Sequence, residues 1–424
     1  MNKNIKLLFT VFVLGLCWAT IYTLPFLQYL LYDPFIEGLG CNNAQLGLLM
    51  SIFGFGNILG APIGGWIADK FNYKKVFLAS LLGNGILAVI FAFNMNYKSA
   101  VIIWVLLAVT SLCMNYPSHI KIVRMLVDED NQGKIFGMNE AFVGVGSVLS
   151  SSVLLFIFAK YVNVVAGLKA VVFAIAAVSF ICFAASYFML KDSPAQEDAD
   201  ASKVSEPKKN MTFADFMSVL KSPATWLVGI NIFAVYSLSV TMSYFTPYFT
   251  TVLGISVAFS GSLAVIRIHG LRLVGAPFGG WLADKIKSVS KVLMVIYICG
   301  AAVLFAFMKM PKTTSIYVLI GITLVIGFLV YMGRGIYYAL ASEIKIPREY
   351  AASTVGIAAA LGFLPDVFQF AMFGNWIDKH GGAAYTYMFT YQIIVLLVGI
   401  IGSFAALQYK KRVTANNETT SKSA

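Results

Sequence analysis

Charge is scarce in this sequence: Asp, Glu, Lys and Arg make up 12% of its 424 residues, about half of what a soluble domain carries. That scarcity, with a 59% apolar share, excludes a water-soluble globular chain of ordinary composition. Cysteine is sparse too. Cys17, Cys41, Cys113, Cys182 and Cys299 are scattered, which excludes a disulfide framework and a clustered metal site. There are only three histidines, no His-Glu-x-x-His pair, no phosphate-cradling Gly-rich loop and no polar stretch long enough for a catalytic domain. A membrane enzyme is therefore not expected, nor any metal or cofactor. Acids are outnumbered 19 to 31 by Lys and Arg, but the surplus of base follows membrane topology and does not call for nucleic acid.

What the sequence has instead is long apolar runs. Crossing a bilayer core of roughly 30 Å takes about 20 helical residues at 1.5 Å each. Twelve such runs lie near 7–32, 44–68, 76–95, 100–123, 137–159, 164–190, 225–250, 258–283, 292–308, 315–343, 351–374 and 384–408. They lack the period-two alternation of barrel strands, so the expected class is all-α with twelve transmembrane helices. Lys3 and Lys6 precede the first run as in a signal peptide, but the run continues to Tyr32 with no small-residue cleavage site, so an uncleaved helix is expected.

With both termini placed inside, 22 of the 31 Lys and Arg fall on the cytoplasmic side, 6 outside and 3 within helices. The positive-inside rule thus predicts cytoplasmic termini in a cell inner or plasma membrane. The longest interruption contains SPAQEDADASKVSEPKKN, polar and poor in aromatics, which reads as a linker. The following TFADFMSVLKSPATW suits a short interfacial helix. The expected organisation is an amino-terminal six-helix half at 1–190, a linker at 191–223, a second half at 224–410 and a tail at 411–424, acting as a monomer in the bilayer.

One block is repeated. GAPIGGWIADK, Gly60 to Lys70, returns as GAPFGGWLADK, Gly275 to Lys285, identical at nine of eleven positions with an offset of 215. A second match, offset 222, aligns YTLPF from Tyr22 with YFTPY from Tyr244 and Pro25 with Pro247. Parallel six-helix repeats place a substrate site between halves, near mid-depth. The repeated glycines permit close helix approach, and Asp69 and Asp284 sit at the water boundary beside basic residues.

These blocks resemble the signature loop of the major facilitator superfamily, between its second and third helices with an echo between the eighth and ninth. The resemblance implies two pseudo-symmetric six-helix bundles and secondary transport by alternating access, and it spans the whole chain. Carried over by position, Gly65, Asp69, Lys70 and Lys74, with Gly280, Asp284 and Lys285 in the echo, would form a conformational latch. Asn72 stands where a glycine is usual and Tyr73 where a base is usual. The fifth run, with GVGSVLSSS, lacks the Gly-Pro signature of drug/proton antiporters.

Ionisable groups inside apolar runs cost about 2.5 to 3.5 kcal/mol each on insertion scales, so they mark sites or partners. Arg267, His269 and Arg272 lie in the eighth run, Arg334 in the tenth, His119 in the fourth and Asp366 in the eleventh, within GFLPDVF. At the offset of 215, His119 aligns with Arg334 and Asn57 with Arg272. Helical periodicity puts His269 and Arg272 on one face and Arg267 on another. The expected solute is a small organic anion, a carboxylate, sulfonate or phosphate ester, held by Arg334, Arg272, His119, Arg267 or His269 with help from Tyr22, Tyr244 and Asn57. Asp366, His119 and His269 are candidates for proton coupling, and Asp366 equally for an ion pair. Symport with a proton and exchange of one anion for another both fit. A neutral sugar or polyol is the alternative cargo, and a non-transporting sensor the alternative function.

Overall fold

The computed structural model describes residues 3–127, 132–190, 213–311, 314–346 and 348–423, and among these every element is helical. The first six helical spans are built from α1 (Lys3–Thr23), a short α2 (Tyr32–Leu39), α3 (Asn43–Lys70), α4 (Tyr73–Phe93), α5 (Tyr97–Ala108) running through a π-helical stretch, Val109–Asn115, into α6 (Tyr116–Arg124), α7 (Gln132–Ala159) and α8 (Val164–Met189). An interfacial-sized α9 (Phe213–Lys221) precedes α10 (Pro223–Ser243), α11 (Phe245–Pro247) and a π turn, Tyr248–Val252. Then come α12 (Val257–Val265), a second π turn (Ile266–Gly270), α13 (Leu271–Ile286), α14 (Val289–Lys309), α15 (Ile316–Ile336), α16 (Ala339–Glu343), α17 (Arg348–Gly362), α18 (Leu364–His380) and α19 (Ala384–Ser423). Ten stretches of the described residues are long and apolar enough to cross a bilayer, the last of them, Thr354–Ala415, running through α17, α18 and α19. Most of the predicted linker, 191–212, lies outside the described residues.

Proline explains where spans depart from straight helices. The run predicted at 7–32 ends as a helix at Thr23, two residues before Pro25, and becomes a 3-10 turn at Leu27–Tyr29. Pro365, lacking an N–H, sits in the first turn of α18 just past the break at Phe363, where Asp366 N–H bonds the Phe363 carbonyl at 3.0 Å. The run predicted at 315–343 breaks after Ile336. His269, predicted to share a face with Arg272, lies in a π turn, Ile266–Gly270, which widens the helical repeat there.

The repeated block is a seam of close approach in both halves. A Cβ added to Gly64 would meet the Cys113 carbonyl at 2.7 Å and the Pro117 ring at 2.8 Å. At the equivalent Gly279 it would meet the backbone of Met332, and Met332 is Pro117 displaced by 215. Gly60 and Gly275 repeat the relation against Leu112 and Tyr331, each at 2.9 Å. Gly280, the second glycine of its pair, has open space where a Cβ would stand, so in that pair the packing falls to the first glycine.

By compactness the chain divides into two units: Met1–Glu206 with Thr246–Gly270 and Phe370–Asp378, and Pro207–Phe245 with Leu271–Gln369 and Lys379–Ala424. The two outlying segments join the first unit through specific contacts. The Asp378 carboxylate accepts from Asn43 N–H (3.0 Å), Asn43 Nδ2 (2.8 Å) and Ala44 N–H (2.8 Å), occupying the amino end of α3. Glycines make room there, Gly374 against Asn43 and Gly47 against the Phe370 backbone. The Thr246 hydroxyl donates to the Tyr29 carbonyl at 2.9 Å.

Candidate functional site

The second unit gathers polar groups around Arg334. Glycine spacing puts them there: Gly333 lets α15 approach α10, since a Cβ would meet Val235 at 2.8 Å, and Gly335 does the same against Ala276 of α13, where its Cβ would meet the carbonyl at 2.6 Å. The guanidinium between them lies 5.3 Å from the centre of the Tyr236 ring and 5.9 Å from that of Tyr331, and its Nη1 reaches Ser239 Oγ at 3.4 Å. Stacking on aromatic faces is a guanidinium property that an ammonium shares less well.

Tyr236 also touches Asp366, donating its hydroxyl to Oδ2 at 2.8 Å. Gly362 brings the acid within reach, because its missing side chain leaves space for Ile232, one turn before Tyr236. Asp366 is buried in the first turn of α18, where the helix end favours negative charge. One tyrosine thus joins the base predicted in the tenth span to the acid predicted in the eleventh. One turn beyond Asp366, Gln369 accepts from the Ser237 hydroxyl at 2.8 Å and donates to Thr241 Oγ1 at 3.0 Å, and the Gln392 amide lies 2.8 Å from both hydroxyls. This satisfied network holds α10 against α18 and α19. Ser239, Tyr331 and Gly333 carry no signal in a survey of charged residues; the Gly-Arg-Gly triplet was the visible clue to the last.

In the first unit, His119 is buried, its Nε2 3.2 Å from Asn139 Oδ1 and its ring 4.6 Å from Trp18 and 6.0 Å from Phe77. Tyr22 packs among Trp18, Phe26 and Phe53 at 5.7 to 6.2 Å. Arg267 is fully buried, with Nη2 donating to Thr246 Oγ1 at 2.9 Å and its guanidinium 6.0 Å from the Phe249 ring centre. Thr246 and Phe249 flank Pro247, so Arg267 ties the seventh span to the eighth. Tyr244 is buried, while Asn57, His269 and Arg272 are partly buried.

The latch residues behave unequally. Gly65 and Asp69 are helical, and their side chains lie outside the described set. Lys70 is exposed, whereas Lys74 is buried with its ammonium 5.9 Å from the Tyr187 ring centre. Asp284 and Lys285 are exposed, Lys285 4.9 Å from the Trp281 ring centre. A carboxylate outside the predicted site, Glu343, does more: it accepts from Ser288 Oγ (2.7 Å), Ser290 N–H (2.8 Å), Ser290 Oγ (3.1 Å) and Lys410 (3.1 Å). Burial alone would raise the Glu343 pKa, but these donors hold it below the ordinary glutamate value.

Comparison with known proteins follows the same lines. The Major Facilitator Superfamily model matches residues 7–369. Two Escherichia coli relatives, Inner membrane protein YqcE and Inner membrane protein YihN, are each 28% identical, over 413 and 395 residues, covering 96% and 93% of this chain and 96% and 91% of theirs. Among solved structures, a D-xylose-proton symporter matches with a TM-score of 0.74 at 15% identity, covering 96% of this chain and 98% of its own. The chain belongs to the major facilitator superfamily, and it is a membrane transporter and not an enzyme.

Proposed function

We propose that this superfamily transporter moves a small organic anion, with Arg334 as the charge that binds it. The observation that carries this reading is the setting of the guanidinium, partly buried between Tyr236 and Tyr331 with Ser239 beside it. A guanidinium fork suits two oxygens of a carboxylate, sulfonate or phosphate, and the flanking tyrosine and serine hydroxyls add donors. Asp366, joined to the same tyrosine, balances the arginine when no anion is bound, and the incoming anion takes over that role. Exchange of partners between two carboxylates costs less than stranding a charge at depth. A relative from Oryza sativa, Probable anion transporter 4, is 23% identical over 390 residues, and one from Arabidopsis thaliana, Ascorbate transporter, is 22% identical over 389, which supports an anionic cargo. The distribution of basic residues supports cytoplasmic termini.

The test is a thermal-shift screen of the purified protein with carboxylates, sulfonates, sugar phosphates and neutral sugars, repeated on Arg334→Gln. Stabilisation by an anion class that disappears in the variant is expected, with a loss of about 100-fold in affinity for a desolvated ionic contact. Unchanged affinity in a folded variant removes Arg334 from the site, and stabilisation by neutral sugars alone moves the cargo to a polyol. Uptake into proteoliposomes separates a carrier from a sensor, which binds without accumulating.

A further inference from the structure

One end of the second unit collects lysines around a single carboxylate. Glu343 accepts from Lys410, Ser288 and Ser290, so its charge is already spent. Those bonds join the first turn of α14 to the end of α16, and with them come Lys287, Lys291 and Lys345, each one or two residues from a bonded one. All three are exposed, as is Lys285 in the last turn of α13, and among the described residues none of the four bonds a carboxylate. The described acids of these elements at this end are Glu343 and Asp284. The positive charge here therefore exceeds what its own neighbours neutralise.

Two of these lysines hold a backbone that lysine disfavours. Lys287 has φ +55 and Lys345 φ +56, and among the described residues they are the two non-glycine positions in the left-handed region. Each closes its helix in the same way. Lys287 N–H bonds the Asp284 carbonyl and Ser288 N–H that of Ala283, both at 3.2 Å; Lys345 N–H bonds the Ser342 carbonyl at 3.2 Å and Ile346 N–H that of Ala341 at 3.4 Å. Glycine is the usual residue at this place in such a closure, and any side chain there is strained. A positive end to a membrane span is ordinary, whereas lysine kept twice where glycine fits better calls for a use of its charge.

An apolar track leads to the cluster. Val274, Phe278 and Trp281, spaced by four and three along α13, are 60%, 40% and 53% exposed. Lys285 stands four residues further on the same face, its ammonium 4.9 Å from the Trp281 ring centre. In a chain that spans a bilayer, exposed apolar side chains meet acyl chains, tryptophan marks the headgroup level, and a lysine beyond it reaches the phosphates. A soluble phosphate or an acidic peptide would use the lysines and leave the track idle; a phospholipid uses both. We propose that this end of the second half binds an anionic phospholipid of the bilayer, an acyl chain lying along Val274, Phe278 and Trp281 and the phosphodiester among Lys285, Lys287, Lys291 and Lys345. The contact is non-covalent and separate from the anion site at Arg334.

Trp281 reports occupancy directly. The purified full-length protein is titrated in mixed micelles with phosphatidylglycerol or phosphatidylcholine carrying brominated acyl chains, which quench a nearby indole, and subtracting the Trp281→Phe signal isolates Trp281. Half-maximal quenching is expected at a lower mole fraction of phosphatidylglycerol than of phosphatidylcholine. In Lys287→Gly/Lys345→Gly the affinity for phosphatidylglycerol is expected to fall about 30-fold, two lysines near the headgroups being lost, with that for phosphatidylcholine unchanged. That variant also relieves the backbone, so without lipid it is expected to melt no lower than the natural protein, which separates loss of the site from loss of the fold. Lys285→Gln/Lys291→Gln, at helical positions, is expected to lose a similar factor. Equal affinity for the two lipids in the natural protein overturns the proposal, as does a preference for phosphatidylglycerol that survives both double variants. A preference abolished by inorganic phosphate at constant ionic strength assigns the lysines to a soluble anion and overturns it too. Arg334→Gln is expected to leave the preference as it is, so failure here and failure of the anion site are distinguishable.

Discussion

His119 and Arg334 occupy the same position of the internal repeat and live in different surroundings. In the second half the residue lies in the last turn of a regular helix, Ile316–Ile336, and projects a guanidinium between tyrosines toward an acid-bearing neighbour. In the first half the equivalent helix is interrupted by the π stretch and Pro117, and the imidazole is enclosed by Trp18, Phe77 and an amide. The repeat keeps the glycine seam beside both positions and lets them take up different chemistry. The flanking loops diverged in the same way. Asn72 has φ −61 and caps α4 by accepting from Lys75 N–H at 3.1 Å, so it needs none of glycine's freedom. Its equivalent Lys287 has φ +55, and the cap passes to Ser288.

Exchanging the two residues breaks the comparison most directly. His119→Arg is expected to fail: a guanidinium enclosed by the aromatic rings around His119 costs about 2.5 to 3.5 kcal/mol on insertion scales, read as loss of folded protein in the membrane fraction. Arg334→His is expected to fold and to lose anion binding. Comparable yields of both variants would show that the surroundings are interchangeable after all.

The glycine seam comes next. Gly64→Ala and Gly279→Ala should each destabilise by about 1 to 3 kcal/mol, as overpacking of a tight contact does, whereas Gly280→Ala should be near neutral. Melting in detergent distinguishes them, and equal losses at 279 and 280 would remove the assignment of one packing glycine in that pair.

Glu343 sharpens the contrast at the end of its span. Its pKa is lowered in the folded protein, so its contribution is present above the unfolded glutamate value of about 4.3 and is lost as pH falls through the lower folded value. Glu343→Gln should lower stability by about 1 to 2 kcal/mol at neutral pH and leave it unchanged at the acid end. A constant difference across pH would mean that packing, not charge, is what the variant removes.

The smallest effect concerns the loops themselves. Lys287→Gly should stabilise by about 0.5 to 1 kcal/mol, relieving a left-handed lysine, while Asn72→Gly should cost a few tenths of a kcal/mol through the weakened cap. The same sign at both positions would erase the difference between the loops.

Composition, the twelve apolar runs and the repeated block were enough to read the helical class, the membrane setting and the superfamily. Each depends on local or periodic properties: hydrophobic length, positive charge at one side, and glycine in a fixed pattern. The candidate site was legible as two separate charges, Arg334 and Asp366, because charge at depth is costly and therefore conspicuous. Tertiary structure alone showed that Tyr236 joins them and that Arg267 bonds Thr246. Tyr236 and Thr246 are neutral side chains at unremarkable positions, and their meaning lies in which helix face meets which neighbour. The π stretches add to this, by widening the helical repeat on which a face drawn from spacing depends.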